Sequence, residues 1–113
     1  MRVVDNRIEL EELKTIAKLK FGNLVKAVVD VDLEIMVIDA ELHSDEEAVL
    51  LGQGSNQNSL WGINLYPNIE GSDWIEFDSM INLRPSVGNM TRGVNKQEIK
   101  DKIVIIVNKL IKR

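Results

Sequence analysis

Apolar and polar positions change period several times along the chain, and each change predicts an element. From Glu9 to Phe21, Leu10, Leu13, Ile16, Ala17 and Phe21 recur at intervals of three and four, the spacing of one helical face. Gly22 follows, where helices end in the left-handed conformation that glycine adopts freely. Glu9, Glu11 and Glu12 at the start and Lys18 and Lys20 at the end complement the helix dipole. Ahead of this helix, Val3 and Val4 predict a short edge strand.

Leu24 to Val31 and Glu34 to Leu42 are rich in β-branched residues and predict a hairpin turning at Asp32 and Leu33. That turn sets Val29 opposite Met36, Ala27 opposite Ile38 and Lys26 opposite Asp39. Val28, Ile35 and Val37 then fall on the reverse face. Two helices cannot cover both faces of a four-stranded sheet, so these three aliphatics predict a homodimer or another protein partner over the first hairpin.

Ser44, Asp45, Glu46 and Glu47 read as a capping box before Ala48 to Leu51, which predicts a two-turn helix. A polar loop from Gln53 to Ser59 leads into a second region of period two. There Trp61, Ile63 and Leu65 share one side, with Gly62, Asn64 and Tyr66 on the other. After an open loop around Pro67, Gly71, Ser72 and Asp73, the alternation resumes at Trp74. Ile75, Phe77, Ser79, Ile81 and Leu83 fall on one face; Glu76, Asp78, Met80, Asn82 and Arg84 fall on the other. Pro85 to Val94 is a loop, and Asn95 with Glu98 opens a last helix striped by Ile99, Ile103, Ile106, Val107 and Leu110.

The expected fold is therefore one α+β domain spanning residues 1–113. It is a two-layer, largely antiparallel sheet built from two β-hairpins, with N- and C-terminal helices on one face and a short helix between the hairpins. A chain of 113 residues suffices for a single core. There is no cysteine, which excludes disulfides, thiol catalysis and thiolate metal sites. No apolar run approaches the ~20 residues that span a bilayer, and the first residues lack signal-peptide character, so a cytoplasmic location is expected and a membrane partner is not.

The distribution of charge is more informative than the composition. The net charge is only −4, but from Ala27 to Asn95 there are twelve acidic residues against two basic ones, Arg84 and Arg92. Every lysine lies outside that block. It repels a phosphate backbone, which argues against nucleic acid, and suits a cation or simple solvation.

Three constellations could carry chemistry. Asp39, Glu41 and His43 alternate and offer oxygen and imidazole ligands to a divalent metal, the one cofactor the residues suggest. Same-side groups on one strand lie about 6–7 Å apart, however, so the alternative is a charged strand end. The polar face of Asn64, Glu76, Asp78, Asn82 and Arg84 could pair two carboxylates as acid and base, or simply be a solvated face. The segment from Arg84 to Gly93 sets Arg84 and Arg92 around Gly88, a composition suited to a carboxylate or phosphate, the alternative being that the two arginines tie the loop to acidic groups such as Glu76 or Asp78. Both arginines are expected on the same rim of the sheet, in one cluster with Asn64, Glu76, Asp78 and Asn82.

Glu41-Leu42-His43, the run Leu60-Trp61-Gly62-Ile63-Asn64-Leu65-Tyr66-Pro67, the run from Trp74 to Asn82, Arg84-Pro85 and Arg92-Gly93 together resemble a family of small single-domain prokaryotic proteins of unknown function. The resemblance spans most of the chain and implies no activity. From the residues alone, the leading expectation is a binding or interaction module that uses the polar sheet face and the arginine loop, with a small anionic ligand. The alternative is a small metal-assisted hydrolase acting on a phosphate ester through Glu76, Asp78 and His43.

Overall fold

The computed structural model describes residues 1–113. Strand β1 (Arg2–Val4) and the two-residue β2 (Ile8–Glu9) precede helix α1 (Leu10–Lys20). Strands β3 (Val25–Asp30) and β4 (Ile35–Ile38) form a hairpin and lead to α2 (His43–Gly52). Next come β5 (Leu60–Leu65), the short β6 (Ile75–Glu76), helix α3 (Gln97–Leu110) and β7 (Ile111–Lys112). The α+β class holds. The main sheet is antiparallel in the order β1-β4-β3-β5-β6, and β2 pairs in parallel with β7 as a clasp between the two ends of the chain.

The first hairpin adopts the register that its hydrophobic pattern requires. Val29 faces Met36 and Ala27 faces Ile38. The turn is fixed by Asp30, whose buried carboxylate accepts from the amides of Asp32 (2.9 Å) and Leu33 (3.0 Å) and from the Ser55 hydroxyl (2.7 Å). Helix α1 ends as its sequence predicts: Gly22 has φ +94°, and its amide donates to the Ala17 carbonyl at 2.6 Å.

Leu13 and Ala17 of α1 and Ile103, Ile106, Val107 and Leu110 of α3 pack on one sheet face against Ala27, Val29, Met36, Ile38, Trp61, Ile63 and Leu65. Helix α2 covers the other face, where Leu50 meets Val28, Val37 and Leu60. Val28 and Val37 are thereby fully buried and Ile35 half-buried, so the reason for placing a second copy or a protein partner over the first hairpin falls away.

Three local expectations change. Helix α2 starts at His43 with Leu42 as N-cap and no side-chain cap, so Ser44 and Glu47 do not form a capping box. It is Glu46 that turns inward, where its Oε2 accepts from the Ala40 amide at 3.2 Å. Helix α3 starts after Lys96, and the Asn95 side chain instead bonds the Met90 amide and the Thr91 hydroxyl. The strand predicted from Trp74 to Leu83 stops at Glu76; Phe77 to Ser79 is irregular and Met80–Asn82 is a single 3₁₀ turn.

Candidate functional site

The short β6 leaves a sheet edge to be satisfied. It pairs with β5 only at Asn64 and Leu65, so the backbone of Leu60 to Ile63 has no strand neighbour on that side. Unpaired buried backbone groups are costly, and the segment from residue 79 to 93 supplies side chains in place of a strand. The Asn82 amide acts as a surrogate peptide: Oδ1 accepts from the Gly62 N–H (2.8 Å), and Nδ2 donates to the Gly62 carbonyl (2.9 Å) and to the Arg92 carbonyl (2.9 Å). Asn89 locks the loop from inside, its Nδ2 donating to the carbonyls of Asn82 (2.7 Å) and Gly93 (2.8 Å). Gly62 is what allows this approach, since a Cβ there would lie 2.5 Å from the Ser79 side chain.

Arg84 belongs to the same edge repair. Its guanidinium lies 4.8 Å from the Trp61 ring, with Nε donating to the Ile81 carbonyl (3.0 Å) and Nη2 to the Leu60 carbonyl. Burial pulls its pKa below the usual arginine value, against the attraction of Glu47. Leu60 and Asn64 are four strand positions apart, about 13 Å. The single cluster expected of Arg84, Arg92, Asn64, Glu76, Asp78 and Asn82 is thus divided, because β6 ends before the alternation can carry Asn82 and Arg84 onto the face of Glu76.

The remaining members do meet. Lys26 of β3 is opposite Asn64 of β5, which is opposite Glu76 of β6, one polar row across three strands on the face that carries α2. Asn64 Nδ2 donates to Glu76 Oε1 (2.8 Å) and to the Asp78 carbonyl (3.3 Å), and its own Oδ1 is buried without a partner. The Tyr66 hydroxyl also donates to Glu76 (3.1 Å), and its pKa is raised, by desolvation first and then by that acceptor. Asp78 is held by Arg92 Nε at 2.7 Å. The two carboxylates therefore have separate partners and form no acid–base dyad.

The residue that completes the site is His43, which the alternation treats as a strand-end ligand. The chain leaves the sheet at Ile38, Asp39 takes a left-handed conformation (φ +69°), and His43 becomes the first residue of α2. Asp39 pairs with Lys20 (3.5 Å) rather than facing Lys26, and Glu41 is exposed. Asp39, Glu41 and His43 are not brought together, and no three acidic or histidine side chains converge as a metal site would need. His43 is 8% exposed, and its Nε2 lies 2.8 Å from the Ile63 carbonyl. A carbonyl only accepts, so Nε2 carries the proton and Nδ1 presents a lone pair. Burial lowers the imidazole pKa, with Lys26 and Arg92 adding to the effect and the Ile63 carbonyl and Asp78 opposing it. The ring is neutral at pH 7.

His43 lines a cleft of about 150 Å³ together with Lys26, Ser44, Ser79, Met80 and Arg92. Lys26 has no ion-pair partner, and the Nη groups of Arg92 are left free by its Nε bond to Asp78. Ser44 is in the uncapped first turn of α2, whose amides carry the positive end of the helix dipole. Behind the cleft, Glu46 is fully buried with Oε1 unpartnered, and burial pushes its pKa up to about 9. It is protonated at neutral pH and adds no charge to the site. The pairing of β3 with β5 is the signal that connects Lys26 to Asn64 and Glu76. Nothing in the pattern around His43 predicts its turn into the cleft.

A family model described as a protein of unknown function, DUF5674, matches residues 2–110, in agreement with the resemblance carried by the Trp61 and Trp74 segments. No curated protein and no solved structure matches the chain.

Proposed function

The chain belongs to the DUF5674 family, whose description assigns no activity, and we propose from the geometry of the cleft that it is a binding protein for a small anionic ligand. The observation that carries this reading is Lys26, whose ammonium lies 5.3 Å from the Phe21 ring centroid with no carboxylate partner, and whose side chain lines a small cleft with Arg92 and the uncapped start of a ten-residue helix. The helix start coincides with a nine-tenths buried histidine whose Nδ1 has no partner in the protein. The volume of about 150 Å³ is below the 300–1,000 Å³ of typical drug-sized sites, which suits a phosphate or a short carboxylate.

The roles divide by chemistry. Lys26 supplies a point charge, Arg92 a pair of N–H donors, and the Ser44 hydroxyl and first-turn amides close the remaining oxygen positions. The carboxylates stand back from the anion: Asp78 orients Arg92, and Glu76 holds Asn64 and Tyr66.

Thermal melting in inorganic phosphate tests the reading. For a Kd near 1 mM, 20 mM phosphate stabilises the fold by about 2 kcal/mol, a Tm rise of about 7 °C. Lys26→Met should melt near the wild type without phosphate and lose most of the rise. The comparison within one buffer cancels the general stabilisation that phosphate gives any protein. An equal rise in wild type and Lys26→Met defeats the assignment.

A further inference from the structure

We infer that the ligand carries a proton donor directly beside its anionic group, and that His43 is the residue that selects for it. This rests on the anion-binding reading above and adds the class of ligand: a 2-hydroxy acid, or a phosphate that retains one O–H.

Hydrogen-bond polarity sets what the cleft accepts. Every other polar group that lines the cleft can donate: the Lys26 ammonium, the Arg92 guanidinium and the hydroxyls of Ser44 and Ser79. His43 is different. Its Nε2–H is committed to the Ile63 carbonyl at 2.8 Å, so the ring cannot switch tautomer without breaking that bond and setting two lone pairs against each other. Nδ1 is therefore an acceptor held in place. A bare carboxylate oxygen or a fully ionised sulfate oxygen beside it would meet a lone pair and be repelled. An O–H would donate to it, while the neighbouring anionic oxygens reach Lys26 and Arg92.

Protonating the imidazole is the way an anion without a hydroxyl could be accommodated. The surroundings oppose this: burial favours the neutral ring, and Lys26 and Arg92 both repel an imidazolium, with Asp78 the one acidic side chain that favours it. The acceptor character of Nδ1 thus persists at neutral pH, which makes the discrimination intrinsic to the site.

Matched pairs of probes isolate the hydroxyl. Glycolate and acetate share one charge and differ by the O–H next to the carboxylate; phosphate and sulfate at pH 8, where both are chiefly dianions, differ in the same way. Titration by ¹H–¹⁵N spectra, following Ser44 and Arg92, should give glycolate about tenfold tighter than acetate and phosphate tighter than sulfate, as one added hydrogen bond to a held acceptor implies. His43→Asn, which can place a donor amide at this point, and His43→Leu, which removes the acceptor, should each bring the members of a pair within about twofold. Retained amide dispersion in their spectra verifies that these variants are folded. Glycolate preferred with phosphate and sulfate equal would identify an organic hydroxy acid as the ligand class; the opposite pattern would identify a phosphate. Equal affinities in both pairs for the wild type would overturn the inference and leave the anion site standing. No binding of any of the four would overturn both.

Discussion

Asn82→Asp is the substitution that most directly tests the surrogate-strand account of β5. The side chain is fully buried and makes three bonds of 2.8–2.9 Å, one accepted from the Gly62 N–H and two donated to the carbonyls of Gly62 and Arg92. A carboxylate keeps the first and loses both donations, placing an oxygen against two carbonyl oxygens in a dry setting. Each stranded acceptor costs about 1–3 kcal/mol, so the expected loss at pH 8 is about 3–5 kcal/mol, or a Tm decrease of about 12–20 °C. Acid should return part of it, since a protonated carboxyl can donate once. The new group has its folded-state pKa raised above the unfolded value of about 3.9, so its contribution is present below that pH and is lost as pH rises. Urea unfolding followed by tryptophan fluorescence at pH 5 and pH 8, with wild type in parallel, measures both quantities. A loss under 1 kcal/mol, or the same loss at both pH values, would refute the claim that Asn82 replaces a strand.

Leu50→Ala removes the α2 side chain that buries Val28, Val37 and Leu60, and should cost about 2–5 kcal/mol; a near-neutral result in urea would mean that the reverse face does not depend on this helix. Glu46→Gln tests the buried acid. Its folded pKa of about 9 lies above the usual glutamate value, so its contribution to stability is full below pH 4.5 and is lost as pH rises toward 9. The amide variant should match the wild type near pH 4.5 and exceed it by about 3 kcal/mol at pH 7, as some 2.5 pH units of linkage imply. Parallel stability profiles for the two proteins across that range would count against a neutral, buried Glu46.

Legibility in the sequence followed the locality of the interactions. The β3–β4 register was readable because one turn and one alternating pattern determine it, and Val29 and Met36 face each other as they must. The overlong second strand shows how the same rule fails. Ile75 packs in the core beneath α1 and α3 and Phe77 lies against it, whereas Ile81 packs on the opposite side with Val28 and Leu50. An alternation that looks like one strand is here satisfied by a chain that crosses from one face of the sheet to the other between Phe77 and Ser79, so that Ser79 and Ile81 both lie on the side of Gly62 and Val28. Gly62 carried the relevant hint, since a glycine between Trp61 and Ile63 suggests close backbone approach, but only the Ser79 contact reveals what approaches it.

The site was half legible for a related reason. Asn64, Glu76, Asp78 and Arg92 are joined by pairings within the β5–β6 region, and period two finds such groups. Lys26 and His43 come from parts of the chain distant in sequence, brought in by the antiparallel pairing of β3 with β5 and by the start of α2. Neither event leaves a local signature: a lysine in a strand reads as solvent-facing, and a histidine after Asp39 and Glu41 reads as a metal ligand. Their convergence also inverts the electrostatic expectation. The block from Ala27 to Asn95 is strongly acidic, yet the cleft on its surface is lined by Lys26 and Arg92, because Glu46 is neutralised by burial and Asp78 and Glu76 are turned to Arg92, Asn64 and Tyr66. Net charge along the sequence sets the field at a distance; the sign at a site is set by which few side chains fold into it and which of them are already paired.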